Sequence, residues 1–402
     1  MLRVLRSRDY RLFWTGSFIA NLGVWIQQTA LGWLVYDMTK RASLLGTISF
    51  CGNMPVLVLG LVGGAIADRA SRRTIMLGTL SMIALCAAAL AALTAFGHIA
   101  IWQIVTISMV SGVASALFGP SMQAVIPSLV GEGELLNAIS LNSVQFNLAR
   151  TLGPAFAGFA YAAIGPHGCF ALNAAGFMVM VLMIARVRLP RRAPGAPPPL
   201  LRGLGDAFRY VNAHAVIRPS LLLAAVMSLF GFPYIILLPA IARDALGFTE
   251  AYGLGYLLAA VGAGAVVGGL GLSAVGEIAR KDLAAVWSAI GFGLTLTAFA
   301  TVRTLGTFAV LLFILGVLQT ICVASLNTMI QTAVHDGMRG RVMSMMTVIL
   351  FGFATTGALF IGFVGDRTGV PAALAGGGIV ITFAATLVLA RAAQPAARLE
   401  EV

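Results

Sequence analysis

Apolar residues run along this chain in blocks of about twenty, and polar residues fall mostly in the gaps between them. A helix needs about 20 such residues to cross the hydrocarbon core of a bilayer. Cutting at charges and at Gly/Pro turns predicts twelve spans, at 11–36, 44–66, 74–96, 99–118, 137–164, 169–187, 219–241, 252–275, 283–302, 306–330, 342–364 and 371–390. Short turns such as FGHIAIW (96–102) and GPHG (165–168) join neighbours into hairpins. The first apolar run, Leu12 to Tyr36, follows a basic N-terminus but is too long for a cleaved signal sequence. It predicts a first transmembrane helix instead.

The longest break lies between spans six and seven. Its Pro-rich part, 190–199, predicts a stiff, extended linker. After it, Leu201, Leu204, Phe208 and Val211 fall on one helical face, as in a helix lying in the membrane interface. A solvated loop is the alternative. The break divides the chain into an N-terminal bundle (1–188), a cytoplasmic linker (189–217) and a C-terminal bundle (218–402). The halves also repeat: 137–165 aligns without gaps to 341–369, at an offset of 204. Ser140 meets Ser344, Gly153 meets Gly357, Gly158 meets Gly362 and Gly165 meets Gly369. The expected fold is therefore an all-α membrane protein, with twelve transmembrane helices in two pseudo-symmetric six-helix bundles.

Composition agrees. Hydrophobic residues make up 59% of the chain and charged residues 10%, against roughly 25% charged in soluble domains. The net charge of +12 would suggest nucleic acid in a soluble protein, but here the basic residues gather between spans. Twenty fall on the side of the N-terminus, five on the other (Lys40, Arg41, Arg243, Arg303, Arg367), and Arg150 lies inside a span. The bias predicts an inner-membrane protein with both termini in the cytoplasm, and no nucleic-acid partner.

Enzymatic chemistry finds no foothold. The two lysines, Lys40 and Lys281, are followed by Arg41 and Asp282, so a G-K-[ST] phosphate loop is absent. There is no G-x-S-x-G and no H-E-x-x-H. Cys51, Cys86, Cys169 and Cys322 are scattered through apolar segments without metal-ligand spacing. They read as packing residues, and neither metal nor cofactor is expected.

The polar residues inside the spans are the informative ones. Arg150 lies fourteen residues from each end of span five, where an arginine costs about 2.5–3.5 kcal/mol on insertion scales. Its repeat counterpart is Ala354, so the scaffold alone does not require it. Asn147 and Ser143 share its face, and span one offers the stripe Asn21, Trp25, Gln28 and Gly32. Tyr234 and Asn327 are further candidates for a central cavity. Three readings of Arg150 stay open: it binds an anionic group of a substrate, it braces the cavity, or it snorkels to the membrane surface. None of the 14 acidic residues lies at the centre of a span. Asp37 and Asp366, at the ends of spans one and eleven, come nearest. Asp37 is the candidate for proton coupling, and an exposed helix-end charge is its alternative.

The segment GGAIADRASRR (63–73) closes span two and opens span three. Gly64, Asp68, Arg69, Arg72 and Arg73 resemble the G-x-x-x-D-R-x-G-R-R signature of the major facilitator superfamily, with Ser71 in place of the last glycine. The resemblance implies that these residues gate the protein. It also implies that Asp68 docks at the start of helix eleven, near Arg341 to Ser344, where a helix N-terminus attracts a carboxylate. Segments 8–48, 118–144 and 147–154 resemble the branch of the superfamily that contains the enterobactin exporter and related secretion permeases. GPAFAG (153–158) partly resembles the Gly-Pro motif of antiporter helix five. These likenesses imply a secondary transporter that exports small amphipathic molecules by alternating access. Its expected partners are an anionic, amphipathic small molecule, membrane lipid and protons as coupling ion, and the expected state is a monomer. A lipid or lysophospholipid flippase on the same fold is the nearest alternative. A non-transporting receptor or scaffold is the alternative from another class.

Overall fold

A computed structural model describes residues 2–397 except 70, 132, 188–199, 250, 275–279 and 303. Every element among the described residues is helical. The long helices are α1 (Arg8–Thr39), α2 (Ala42–Arg69), α3 (Arg72–Ala95), α4 (Ile101–Val125) and α5 (Leu135–Arg186), followed by the short α6 (Leu200–Ala213). Next come α7 (Ile217–Val226), α8 (Pro233–Ala240), α9 (Tyr252–Ala274), α10 (Lys281–Thr297) and α11 (Leu305–Ala333). The chain then forms α12 (Asp336–Val348), α13 (Ala354–Thr368) and α14 (Val370–Ala397).

Ten segments among the described residues are long and apolar enough to cross a membrane, against the twelve expected. Two features account for the difference. The polar stripe of α1, with Asn21, Gln27, Gln28 and Thr29, keeps its hydropathy below that of the ten. The fifth and sixth expected spans follow one another without a gap and count as one segment, α5, but they are two helices separated by non-helical backbone at Gly165. There φ is +67°, a left-handed conformation that glycine adopts without a Cβ penalty. Pro166 follows and prevents the helix from running on straight.

The chain forms two compact units. One holds residues 1–38, 51–198 and 250–259, and the other holds 39–50, 199–249 and 260–402. In the first, α3 packs against α4 and α5, with Met76, Leu80 and Ile83 meeting Phe177, Met180 and Ile184 in the core. In the second, α10 packs in the same manner against α11 and α14. The start of α1 is pinned to the start of α5, because the Tyr10 hydroxyl donates to the Ala138 carbonyl at 2.8 Å and the Trp14 indole to Leu141 at 3.1 Å. Of the face predicted for α6, Val211 is buried and Phe208 is turned away from the protein. The side chains of Leu201 and Leu204 lie outside the described residues.

The repeat read from the sequence recurs as geometry. Gly153 of α5 receives Trp25, and Gly357 of α13 receives the backbone of Leu229, which stands at the same offset of 204 from Trp25. Gly158 lies against α9, where an added Cβ would sit 3.0 Å from the Cα of Tyr252. Gly362 lies against α2, 3.0 Å from the Cα of Ser43 on the same measure. Gly165 and Gly369 both take left-handed φ. Such approaches are how membrane helices associate, since lipid offers no hydrophobic drive between them.

Two π turns, Met227–Gly231 and Ile349–Phe353, interrupt the seventh and eleventh expected spans and pack against one another. The buried Ser228 hydroxyl donates to the Leu350 carbonyl at 2.7 Å, pairing an acceptor in the widened turn. The close approach of Gly357 to Leu229 lies beside this contact. Gly357→Ala is therefore expected to lower the thermal unfolding midpoint in detergent, since overpacking costs about 1–3 kcal/mol. Gly376→Ala, where an added Cβ meets nothing within 4 Å, is expected to leave it unchanged.

Candidate substrate-binding face

The first unit brings α1 and α5 together around Trp25. The indole meets Phe146 edge-on, with ring centroids 6.4 Å apart and planes at 66°. Its Cβ occupies the space that a side chain at Gly153 would need. Phe146 and Gly153 thus mark the face of α5 that looks at α1. Arg150 is four residues after the first and three before the second, so helical spacing puts it on that face. Arg150, Asn147 and Gln28 are exposed, and Asn21 and Trp25 are half-buried. The Asn147 amide donates to the Ser143 carbonyl at 2.8 Å, folding it along its own helix. The structure therefore gathers Asn21, Trp25, Gln28, Asn147 and Arg150 on two neighbouring helices. Helical spacing thus puts a cation on the same face as an aromatic ring and near an amide.

Tyr234 and Asn327 belong to the second unit. Tyr234 is fully buried, packs edge-on against Phe292 at 6.0 Å, and donates its hydroxyl to Gln319 Oε1 at 2.9 Å. Its place is in the core of that unit. Asn327 is half-buried and accepts from the Gln331 amide at 2.8 Å. Asp37 is exposed near the end of α1. Of the gating residues, Arg73 donates to the Ala185 carbonyl at 2.5 Å and so caps the last turn of α5. The side chains of Gly64, Asp68, Arg69 and Arg72 lie outside the described residues.

Two buried amide pairs escaped the reading of the sequence. The Asn173 amide donates to Gln27 Oε1 at 2.8 Å, joining α1 to the second half of α5. The Asn173 Oδ1 atom is buried without a hydrogen-bond partner and rests against Gly23, whose added Cβ would lie 2.8 Å away. Gln145, fully buried, donates to Asn142 Oδ1 at 3.0 Å. Gln27 adjoins Gln28 in the chain, so the signal was a double glutamine in an apolar span, of which Gln27 meets Asn173 and Gln28 is exposed.

Comparison with known proteins agrees with this architecture. A staphyloferrin A transporter of Staphylococcus aureus is 30% identical over 260 residues, which cover 63% of this chain and 64% of that transporter. The match thus spans just under two thirds of the relative's length. Macrolide efflux protein A of Streptococcus pyogenes is 22% identical over 89% of both chains. The multidrug efflux pump Tap of Mycolicibacterium fortuitum is 25% identical, again over 89% of both. Among solved structures, a bacterial homolog of the human lysosomal transporter Spinster superposes with a TM-score of 0.74 at 14% identity, covering 95% of this chain and 96% of that one. A POT peptide transporter in complex with sulfate gives 0.75 at 13% identity, covering 96% and 95%. These likenesses show a major facilitator fold. Residues 2–401 match the transmembrane secretion effector family, and the chain belongs to that family of multi-pass membrane transporters, not of enzymes.

Proposed function

We propose that the protein is a secondary transporter that exports small, anionic, amphipathic molecules from the cytoplasm across the inner membrane by alternating access. The observation that carries this reading is the face of α5 on which Arg150 stands between Phe146 and Gly153, opposite Trp25. Secretion is the role of the family, and its relatives named above are a siderophore transporter and two drug efflux proteins. The cargo class follows from the chemistry of the face. A guanidinium offers a planar fork to a carboxylate or phenolate, and the rings beside it accept an apolar body. The bias of basic residues supports cytoplasmic termini.

Arg150→Gln is expected to weaken export of an anionic amphiphile about tenfold in reconstituted vesicles, with a neutral analogue much less affected. Arg150→Lys is expected to restore only part, because an ammonium lacks the fork. Uniform loss across both cargoes would instead mean that Arg150 braces the helices.

Asp68 carries the proposed gate at the end of α2. A charge used in one conformation alone shifts the balance between states when removed. Asp68→Asn is expected to abolish most flux while membrane insertion and detergent monodispersity stay normal. Wild-type flux in that variant would remove the gate.

Protons are the proposed coupling ion, with Asp37 as the carboxylate that exchanges them. Export is expected to follow an imposed pH gradient and to lose that dependence in Asp37→Asn. A rate indifferent to the gradient in the unmodified protein would exclude proton coupling.

A further inference from the structure

We propose that Asp366 and the start of α2 form a latch that closes one face of the transporter and is broken in each transport cycle. The proposal rests on the alternating-access reading above. Asp366 stands in the last turn of α13, beside the first turn of α2. The Ala42 N–H donates to Asp366 Oδ1 at 2.6 Å and the Ser43 N–H to the same oxygen at 3.3 Å. The Ser43 hydroxyl donates to Oδ2. One carboxylate thus takes three donors at a helix start, where backbone N–H groups have no partner within their own helix and the dipole favours negative charge.

The helices meet backbone to backbone below this cap. An added Cβ on Gly46 would lie 2.6 Å from the Cα of Leu359, and one on Gly362 would lie 2.7 Å from the Ala42 carbonyl oxygen. Residues 39–50 accordingly pack with the second unit, while the rest of α2 packs with the first.

The internal repeat separates what the scaffold needs from what has been added. α5 and α9 approach through Gly158 and Gly255 as α13 and α2 approach through Gly362 and Gly46. Helix contact by glycine is built twice. At the offset of 204, however, the counterpart of Asp366 is Ala162. The packing does not require a carboxylate, yet one of the two contacts has it. Asp366 also lines a cavity of about 530 Å³ with Thr39, Lys40, Arg41, Phe363 and Arg367. Water therefore reaches the cap, and its donors and acceptor can be rehydrated when it parts. The tight turn at Lys40, held at φ +53°, joins the start of α2 to the end of α1.

The test uses spin labels at Arg41→Cys and Thr368→Cys in the full-length protein in lipid nanodiscs, read by pulsed dipolar spectroscopy. Both positions are exposed, three of the native cysteines are buried, and Cys51 is replaced by Ala. The doubly labelled parent is expected to show a short and a long distance. Asp366→Ala is expected to raise the ratio of long to short about fivefold, the size of a lost helix cap. Ser43→Ala is expected to raise it by less. Gly46→Ala, which keeps the carboxylate and its donors, is expected to shift it the same way by forcing the backbones apart. An unchanged ratio in Asp366→Ala, with the parent still showing both distances, overturns the latch and leaves alternating access intact. If Asp366→Ala does not insert, an unchanged ratio in both Ser43→Ala and Gly46→Ala overturns it equally. A single distance in the parent, unmoved by cargo during measurable flux, overturns the alternating-access reading itself.

Discussion

Hydrocarbon offers no hydrogen bonds, and this one fact orders most of the polar side chains in the spans. Hydroxyls turn back onto their own helices: Thr47 onto Ser43, Thr79 onto Ile75 and Thr328 onto Ala324, each to the carbonyl four residues earlier. Amides join in twos, Gln145 with Asn142, Gln331 with Asn327 and Asn173 with Gln27. Each arrangement meets a small demand locally. A guanidinium has five N–H donors in a fixed fork, more than a single i−4 carbonyl or one amide can satisfy. Arg150 is the one arginine in the middle of an expected span, and its fork asks for more than one such partner. Helical spacing puts it on the face of α5 that carries Phe146 and Gly153, and its side chain is exposed.

The same solvent explains the glycines. Apolar side chains gain little by leaving lipid for one another, so helices gain by bringing backbones into van der Waals contact. Among the described residues this happens repeatedly: Gly112 on Gly52, Gly264 on Phe313, Gly316 on Val261 and Gly293 on Gly378. A contact that depends on the absence of a side chain tolerates no substitution, yet it holds with few specific bonds. Two helices that meet in this way can part without stripping hydrogen bonds from their ladders. A transporter needs both rigid helices and contacts that separate, and glycine supplies the second without weakening the first.

Much of this was legible in the sequence, and the failures have physical causes. The blocks of apolar residues located nearly every helix because the period and length of a span leave little freedom. The repeat at 204 pointed to glycines that prove equivalent in space, since close approach leaves a mark that a small side chain cannot hide. The break between the fifth and sixth spans was legible at Gly165-Pro166, and the chain does leave helical geometry there, with Gly165 at φ +67°. The π turns left no signal at all. Each is one residue of excess within an apolar run, and its reason lies in Ser228 and Leu350, which are distant in the chain. Tyr234 reads as cavity lining because aromatic side chains suit a bulky, partly apolar ligand. Its hydroxyl instead meets Gln319, a partner whose nearness depends on the fold.

The two acidic helix ends can now be considered together. α2 carries Asp68 one residue before its end and begins under Asp366, while α13 carries Asp366 two residues before its own end. The superfamily motif implies that Asp68 docks near Arg341 to Ser344, the expected start of its partner helix, but α12 begins earlier, at Asp336, and these residues lie beyond its first turn. As proposed, each of the two carboxylates would hold a different state, and so would lower the energy of a different basin. Comparable latches leave neither state dominant, and the free energy of cargo or ion binding needs only to tip a near balance. A protein with one such latch would rest on one side and need several kcal/mol from its ligand to leave it. Asp366 is exposed at its helix end, so water can take over its carboxylate if the cap parts.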